Sequence, residues 1–426
     1  MDQFDKNIIG YEATKQRLRQ LCDILRNKHY YEEKGASLPH GLLLHSAPGL
    51  GKTLMAKTLM DASGRYSRIL RKENEEEAFL KSLRDAFNDA KEHSPSILLL
   101  EDINLYADTP SPYGSQWACL QSCIDNVKDD DVFVIATTNA TQCIPASLLR
   151  PGRFDLTITL EPPQGEVAEQ IATHYLKGRP LDDDVVISDV VRAMGSSASC
   201  AMLESVMNAA SIKSCFRNGD TINKSDLTDA ILEVIYQLKH ADGEANPNIE
   251  QIALHEAGHV VAAEVLKPGS VSLVTLLSDL GKQGMTQYYH DSVIFTEEDL
   301  LGLATNCLAG KAAVEVQYGL DVGASEDIQT ALEYIHSWIT ALAGYGFAHV
   351  VFGCQSISES AHLANEKLAS AKLDELYRST QGILRKHKDF LLAVQKALLE
   401  RKTLLRSDIE AIRRRVDSDA PPARQS

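Results

Sequence analysis

The run Gly41-Leu-Leu-Leu-His45, Ser46-Ala47-Pro48-Gly49-Leu50-Gly51-Lys52-Thr53 and Leu54 onward leaves few folds open. It reads as a short apolar strand, a glycine-bearing loop and a helix start, in that order. Consecutive apolar residues suit a strand buried on both faces, as in a parallel sheet covered by helices. The loop and the helix N-terminus then turn backbone N–H groups towards an anion. Ser46, Ala47, Pro48, Gly49, Leu50, Gly51, Lys52, Thr53 and Leu54 are therefore the expected ATP cradle. Lys52 is placed to reach the β and γ phosphates and Thr53 to hold Mg2+. Ser46 stands where the usual pattern has its first glycine, a small change in size.

Two further apolar runs extend this pattern. Ser96-Ile-Leu-Leu-Leu100 ends in Glu101-Asp102, acids placed at a strand end to meet magnesium and the attacking water. Val132-Phe-Val-Ile-Ala136 leads into Thr137-Thr-Asn139, whose amide is placed to orient that water. Leu148-Leu-Arg-Pro-Gly-Arg-Phe-Asp155 follows, with Arg150 and Arg153 spaced to stabilise a transferring phosphoryl group on a neighbouring subunit. An amphipathic helix through Leu18, Leu21 and Leu25, after an extended stretch at Asn7–Gly10, precedes all of this.

A second chemistry lies downstream, in Gln251-Ile-Ala-Leu-His-Glu-Ala-Gly-His-Val-Val-Ala-Ala263. His255 and His259 are four residues apart, about one helical turn, so both imidazoles leave one face and can grip one metal ion. Glu256 adjoins the first histidine and is placed to act as a general base on a metal-activated water. With 13 histidines in 426 residues, a chance copy of His-Glu-x-x-His has a probability of roughly a few per cent. Such a copy would fall as readily in a loop, whereas this one sits among Ile252, Ala253, Val260, Val261 and Ala262.

Composition limits the alternatives. A net charge of −16 opposes broad nucleic-acid or anionic-membrane binding. No apolar run reaches the length of a transmembrane helix, and the first residues lack signal-peptide character, so the expected location is the cytoplasm. Eight cysteines without zinc-ribbon spacing suggest reduced thiols.

Together, the phosphate loop, the acidic strand end, Thr-Thr-Asn139 and Leu-Leu-Arg-Pro-Gly-Arg-Phe-Asp155 resemble an AAA ATPase. With His255-Glu-Ala-Gly-His259 added, nearly the whole chain resembles the FtsH-type ATP-dependent zinc metalloproteases. The resemblance implies an α/β AAA module, a parallel sheet with flanking helices and a helical lid, followed by a mainly α-helical zinc metallopeptidase domain. Expected bounds are 1–163 for the α/β part, 164–240 for the lid, 241–249 for a linker, 250–416 for the peptidase and 417–426 for a frayed tail. It also implies a homo-hexameric ring, polypeptide substrates and Zn2+, ATP and Mg2+ as cofactors. The third zinc ligand it implies is Asp327, in Gly323-Ala-Ser-Glu-Asp-Ile328. Read from the residues alone, Ser325 followed by two acids is also a helix start.

Departures from the family fall mostly on the motor. Glu101-Asp102 reverses the family's Asp-Glu, Glu75–Glu77 stands where an aromatic pore loop is expected, and Ala198-Ser-Cys-Ala201 replaces Ser-Gly-Ala-Asp in the lid. In Leu308-Ala-Gly-Lys-Ala-Ala-Val-Glu315 one of two family glutamates is kept. Val271–Leu277 and Gly284–Tyr289 read as strands; the second is either a substrate-pairing edge, as in the family, or an ordinary exposed edge. Helical patterns continue over Ile328–Ala343 and Ala361–Arg415. The family's membrane anchor precedes its ATPase, and this chain begins at the ATPase. The expectation is thus a soluble, ATP-dependent or ATP-regulated zinc endopeptidase with a weakened motor. The rival is an AAA-type remodelling or scaffold protein whose peptidase is idle.

Overall fold

The computed structural model describes residues 2–72, 76–106, 114–238, 247–279, 282–289, 296–319, 324–350 and 359–419. These form two compact units: residues up to Gly178 together with Ser197–Asn208, and Arg179–Ser196 together with residues from Ala209 onward.

The first unit opens with α1 (Gln3–Asn7), α2 (Glu12–Arg26) and α3 (Lys28–Glu33). The stretch expected to be extended at Asn7–Gly10 is thus partly helical. The direction changes at Gly10 and Tyr11, both at positive φ (65° and 53°). Then come β1 (Gly41–His45), α4 (Lys52–Ser63), β2 (Tyr66–Leu70), α5 (Glu76–Glu92) and β3 (Ser96–Leu100). They are followed by α6 (Ser115–Asn126), β4 (Val132–Thr138), β5 (Leu156–Thr159) and α7 (Gly165–Leu176).

The five strands pair in parallel in the order β2-β3-β4-β1-β5. Strands β2 and β5 were not anticipated: each sits at a sheet edge, where exposed residues dilute the apolar signal. The inner strands are buried on both faces. Leu43, Leu98, Leu100 and Val134 join Phe79, Leu83 and Trp117 of α5 and α6 on one side. Leu42, Leu44, Ile97, Leu99 and Ile135 join Leu18, Met55 and Leu59 of α2 and α4 on the other. Each such fully buried side chain contributes roughly 1.5–3 kcal/mol. That two-sided burial fixes the register and lines up the C-terminal ends of β1, β3 and β4, where the loop, Glu101-Asp102 and Asn139 lie.

Next are α8 (Ile187–Ala193), α9 (Cys200–Phe216) and α10 (Lys224–Val234). The second unit continues with α11 (Ile249–Leu266), β6 (Val271–Asp279), β7 (Lys282–Tyr288), α12 (Glu297–Cys307), α13 (Ala309–Tyr318) and α14 (Ser325–Thr340). It ends with α15 (Glu359–Lys386), α16 (Lys388–Arg401), β8 (Thr403–Leu405) and α17 (Arg406–Asp419). The helical patterns expected over Ala361–Arg415 are thus three helices, the last two separated by β8, which pairs antiparallel with β6. Its three residues are too few for a period-2 pattern, and their strand state depends on a partner about 130 positions upstream. Asp417–Asp419 belong to α17 and not to a frayed tail; the rest of that tail, and most of the expected linker, lie outside the described residues.

Helix α11 is apolar on nearly every side because it is the centre of this unit, packed against α13, α16 and β6. Gly258 lets α13 approach: a Cβ there would lie 2.5 Å from the Ala309 carbonyl oxygen. The small sheet has the order β7-β6-β8, with β7 at an edge. Among the described residues no helix is long and apolar enough to cross a membrane.

Candidate metal centre and nucleotide loop

Burial of α11 sets the metal centre. His255 and His259 project from one face with Nε2 atoms 3.1 Å apart. The first turn of α14 brings in Asp327, whose Oδ2 lies 3.0 Å from His255 Nε2 and 3.5 Å from His259 Nε2. Among the described residues this is the one group of three or more such side chains whose ligand atoms converge, all within 4.8 Å of one another. His259 Nδ1–H donates to the Asn306 carbonyl at 2.8 Å, which leaves Nε2 as the atom facing Asp327. Two imidazole nitrogens and one carboxylate oxygen suit a zinc ion with a further position open. Burial opposes ionisation of Asp327, but the adjoining His255 and His259 outweigh it and hold the carboxyl well below its usual range.

Ser325 begins α14 as its first helical residue, not as its cap: Ala324 occupies the cap position and makes no side-chain cap bond. Gly323 lies outside the described residues.

Glu256 is 5% exposed beside the histidines. Burial pushes its carboxyl up, against the opposing pull of His259 and the hydrogen bond from Thr286. Thr286 Oγ1 donates to Glu256 Oε2 at 2.6 Å. A Cβ on Gly284, two residues earlier on β7, would lie 2.5 Å from Glu256 Oε1. A Cβ on Gly310 would lie 2.4 Å from His255 Cε1 and Nε2. A cleft of about 600 Å³ runs past these groups, with Gln251, Met285 and Tyr288 among its walls. Thr286, Gly284, Gly310 and Asn306 are the residues that sequence reasoning missed. For the glycines a signal existed, since a glycine inside a helix or strand often marks a close approach. Glu315 is 2.5 Å from the Tyr377 hydroxyl, which ties α13 to α15, and 2.7 Å from Lys311 Nζ within α13.

In the first unit Gly49 and Gly51 take positive φ (79° and 87°), and α4 starts at Lys52. Ala47, Pro48 and Gly49 are exposed, Ser46 and Leu50 are buried, and Thr53 in the first turn is half-buried. Leu54 turns outward, 49% exposed. Lys52 Nζ donates to Ser46 O (3.1 Å), Ser46 Oγ (3.0 Å), Ala47 O (3.2 Å) and Asn139 Oδ1 (2.6 Å). Burial pushes the Lys52 ammonium down, partly offset by Asp102. The two acids at the end of β3 part company. Asp102, at φ 49°, accepts from Asn139 Nδ2 at 3.4 Å, whereas Glu101 turns to Arg71, with Oε2 2.9 Å from Nη2. Glu101 Oε1 is buried and has no partner among the described residues.

Asn104, also not anticipated, accepts from Asn139 N–H at 3.1 Å and steadies the strand end. In the stretch expected to form the lid, Ala201 N–H donates to the Gly49 carbonyl at 3.0 Å. Arg153 is held by Asp125 in a two-pronged pair (2.9 and 2.7 Å) and by the Ser147 carbonyl, and Arg150 is exposed. Among the described residues neither is hydrogen-bonded to the Lys52 cluster of its own chain. Glu75 of the expected pore loop lies outside the described residues; Glu76 and Glu77 open α5.

Residues 42–162 match the ATPase family associated with various cellular activities (AAA), and residues 245–412 match peptidase family M41. The ATP-dependent zinc metalloprotease FtsH 2 of Symbiobacterium thermophilum is 28% identical over 95% of this chain and 74% of its own. The ATP-dependent zinc metalloprotease FtsH of Mycoplasma pneumoniae is 28% identical over 95% of this chain and 61% of its own. In Arabidopsis thaliana, the ATP-dependent zinc metalloprotease FTSH 11, chloroplastic/mitochondrial, is 26% identical over 96% of this chain. The chain spans about half of that relative's length, 52%.

Proposed function

The chain belongs to the FtsH-type ATP-dependent zinc metalloproteases, an AAA ATPase joined to a family M41 peptidase, and from that premise we propose that it cleaves unfolded or loosely folded polypeptides at the cleft between α11 and β7. The observation that carries this reading is the convergence of His255, His259 and Asp327 beside a buried Glu256. A structural metal site needs no such carboxylate.

His255, His259 and Asp327 would hold zinc, which when bound lowers the pKa of a coordinated water and polarises a scissile carbonyl. Glu256 takes the proton of the attacking water and passes it to the leaving amine. The Asn306 carbonyl keeps His259 in the tautomer that presents Nε2. The edge of β7 offers backbone groups on which an extended peptide pairs as an added strand.

Lys52, Thr53 and the loop from Ser46 to Leu54 would bind ATP, with Asp102 and Asn139 at the phosphate end, and Thr53 and Asp102 would hold Mg2+. Arg150 and Arg153 serve a neighbouring subunit of a homo-hexamer. Because Glu101 is drawn to Arg71, one carboxylate is left facing the loop, which supports slow hydrolysis. Nucleotide then organises the ring and gates the cleft more than it drives unfolding.

Cleavage of casein by zinc-loaded protein, with and without ATP and beside Glu256→Gln, tests the reading. Loss of cleavage in Glu256→Gln and dependence on ATP in the wild type are expected. Zinc binding without cleavage under any condition would overturn the peptidase assignment. Rapid hydrolysis stimulated by a folded substrate would overturn the slow motor.

A further inference from the structure

The general base is not held by its own helix. Glu256 leaves α11, but its carboxylate is fixed from across the cleft by β7. Side chains alternate along a strand, so positions 284 and 286 share a face, and both turn to Glu256. Thr286 Oγ1 takes Oε2 at 2.6 Å. At position 284 only a hydrogen fits, since a Cβ would stand 2.5 Å from Oε1 and 2.9 Å from Cδ and Cγ. Gly284 is moreover at φ 85°, which other residues rarely adopt.

We propose that Thr286 is a positioning residue for the peptidase reaction: its hydroxyl locks Glu256 Oε2, so that Oε1 is the oxygen that takes the proton from the attacking water. The inference rests on the peptidase reading above. The water's oxygen bonds to the scissile carbonyl carbon, its proton goes to Oε1, and that proton then leaves with the amine as the C–N bond breaks. A carboxylate free to rotate would present either oxygen in many orientations, and a misplacement of about 1 Å is enough to slow such a transfer strongly. Substrate pairing on β7 uses main-chain groups, so the Thr286 hydroxyl contributes to the rate and not to binding.

Thr286→Val keeps the shape and β-branching of the side chain and deletes the hydroxyl, whereas Thr286→Ser keeps the hydroxyl. With a fluorogenic peptide, Thr286→Val is expected to lower kcat about tenfold with KM nearly unchanged, and Thr286→Ser to recover most of the loss. Bound zinc per chain should be equal in all three, which establishes an intact site. A second readout is independent of turnover: the Glu256 carboxylate band, isolated as the infrared difference between wild type and Glu256→Gln. It should shift in Thr286→Val and return in Thr286→Ser. An unmoved band, or a Thr286→Val enzyme as fast as wild type, overturns the proposal. So does a loss shared equally by kcat and KM that Thr286→Ser fails to rescue. If the wild type cleaves nothing while the band still shifts, the peptidase reading fails and the hold on Glu256 stands.

Discussion

Replacing Gly310 with alanine sets one methyl group against the imidazole of His255. The added Cβ would lie 2.4 Å from Cε1 and Nε2 and 2.6 Å from Cδ2, where ordinary contact begins at 3.4 Å. Either the ring or the α13 backbone must then retreat by about 1 Å, because interiors packed this closely have no slack. His255 Nε2 is 3.0 Å from Asp327 Oδ2 and 3.1 Å from His259 Nε2, so a retreat of that size opens the ligand triangle. Overpacking costs about 1–3 kcal/mol, against a helix-propensity gain of up to about 1 kcal/mol. A displaced ligand should weaken zinc binding about 10–100-fold. Zinc affinity, measured by competition with a chromogenic chelator, and the urea midpoint read the two effects separately. Gly382→Ala in α15 is the control, since a Cβ there meets nothing within 4 Å and gains helix propensity alone. Equal zinc affinity in Gly310→Ala, Gly382→Ala and wild type would show that contact with Gly310 does not set the position of His255.

Three other outcomes follow from the same structure. Lys52→Ala removes the cation that binds Ser46, Ala47 and Asn139; nucleotide affinity, followed with a fluorescent ATP analogue, should fall at least about tenfold while zinc content is unchanged. Thr296→Ala breaks the capping box that opens α12, where Thr296 Oγ1 accepts from Asp299 N–H at 3.1 Å; a loss of about 1 kcal/mol should appear as a lower urea midpoint. For Asp226, burial opposes ionisation, but Arg217 and the Asn223 N–H outweigh it and lower the folded pKa below the usual 3.8. Its contribution to stability is therefore complete above that value and lost as pH falls through the folded pKa. As pH falls below about 4 the melting temperature of the wild type should drop more steeply than that of Asp226→Asn.

Local pattern was enough for the chemistry that is written in consecutive residues. The buried runs at Gly41–His45, Ser96–Leu100 and Val132–Ala136 are too short for a buried helix and suit strands covered on both faces, and the glycines of the loop mark a turn that only they adopt easily. One helical turn between His255 and His259 is a property of the helix itself. Asp327 was legible through family likeness alone: 68 residues separate it from His259 (327 − 259), and no local period spans such a gap. Tertiary structure decided what depends on partners distant in the chain. The three residues of β8 are a strand because β6 is there to receive them, and Thr286 bonds Glu256, with Gly284 leaving room for its carboxylate, because β7 packs against its helix. Glu101 and Asp102 were read as one pair, yet a backbone at positive φ sends Asp102 towards Lys52 and Asn139 while Arg71 takes Glu101. Residue order records which groups are available; which way each one points is set by packing between segments, a sum of many weak long-range contacts that no short window of sequence contains.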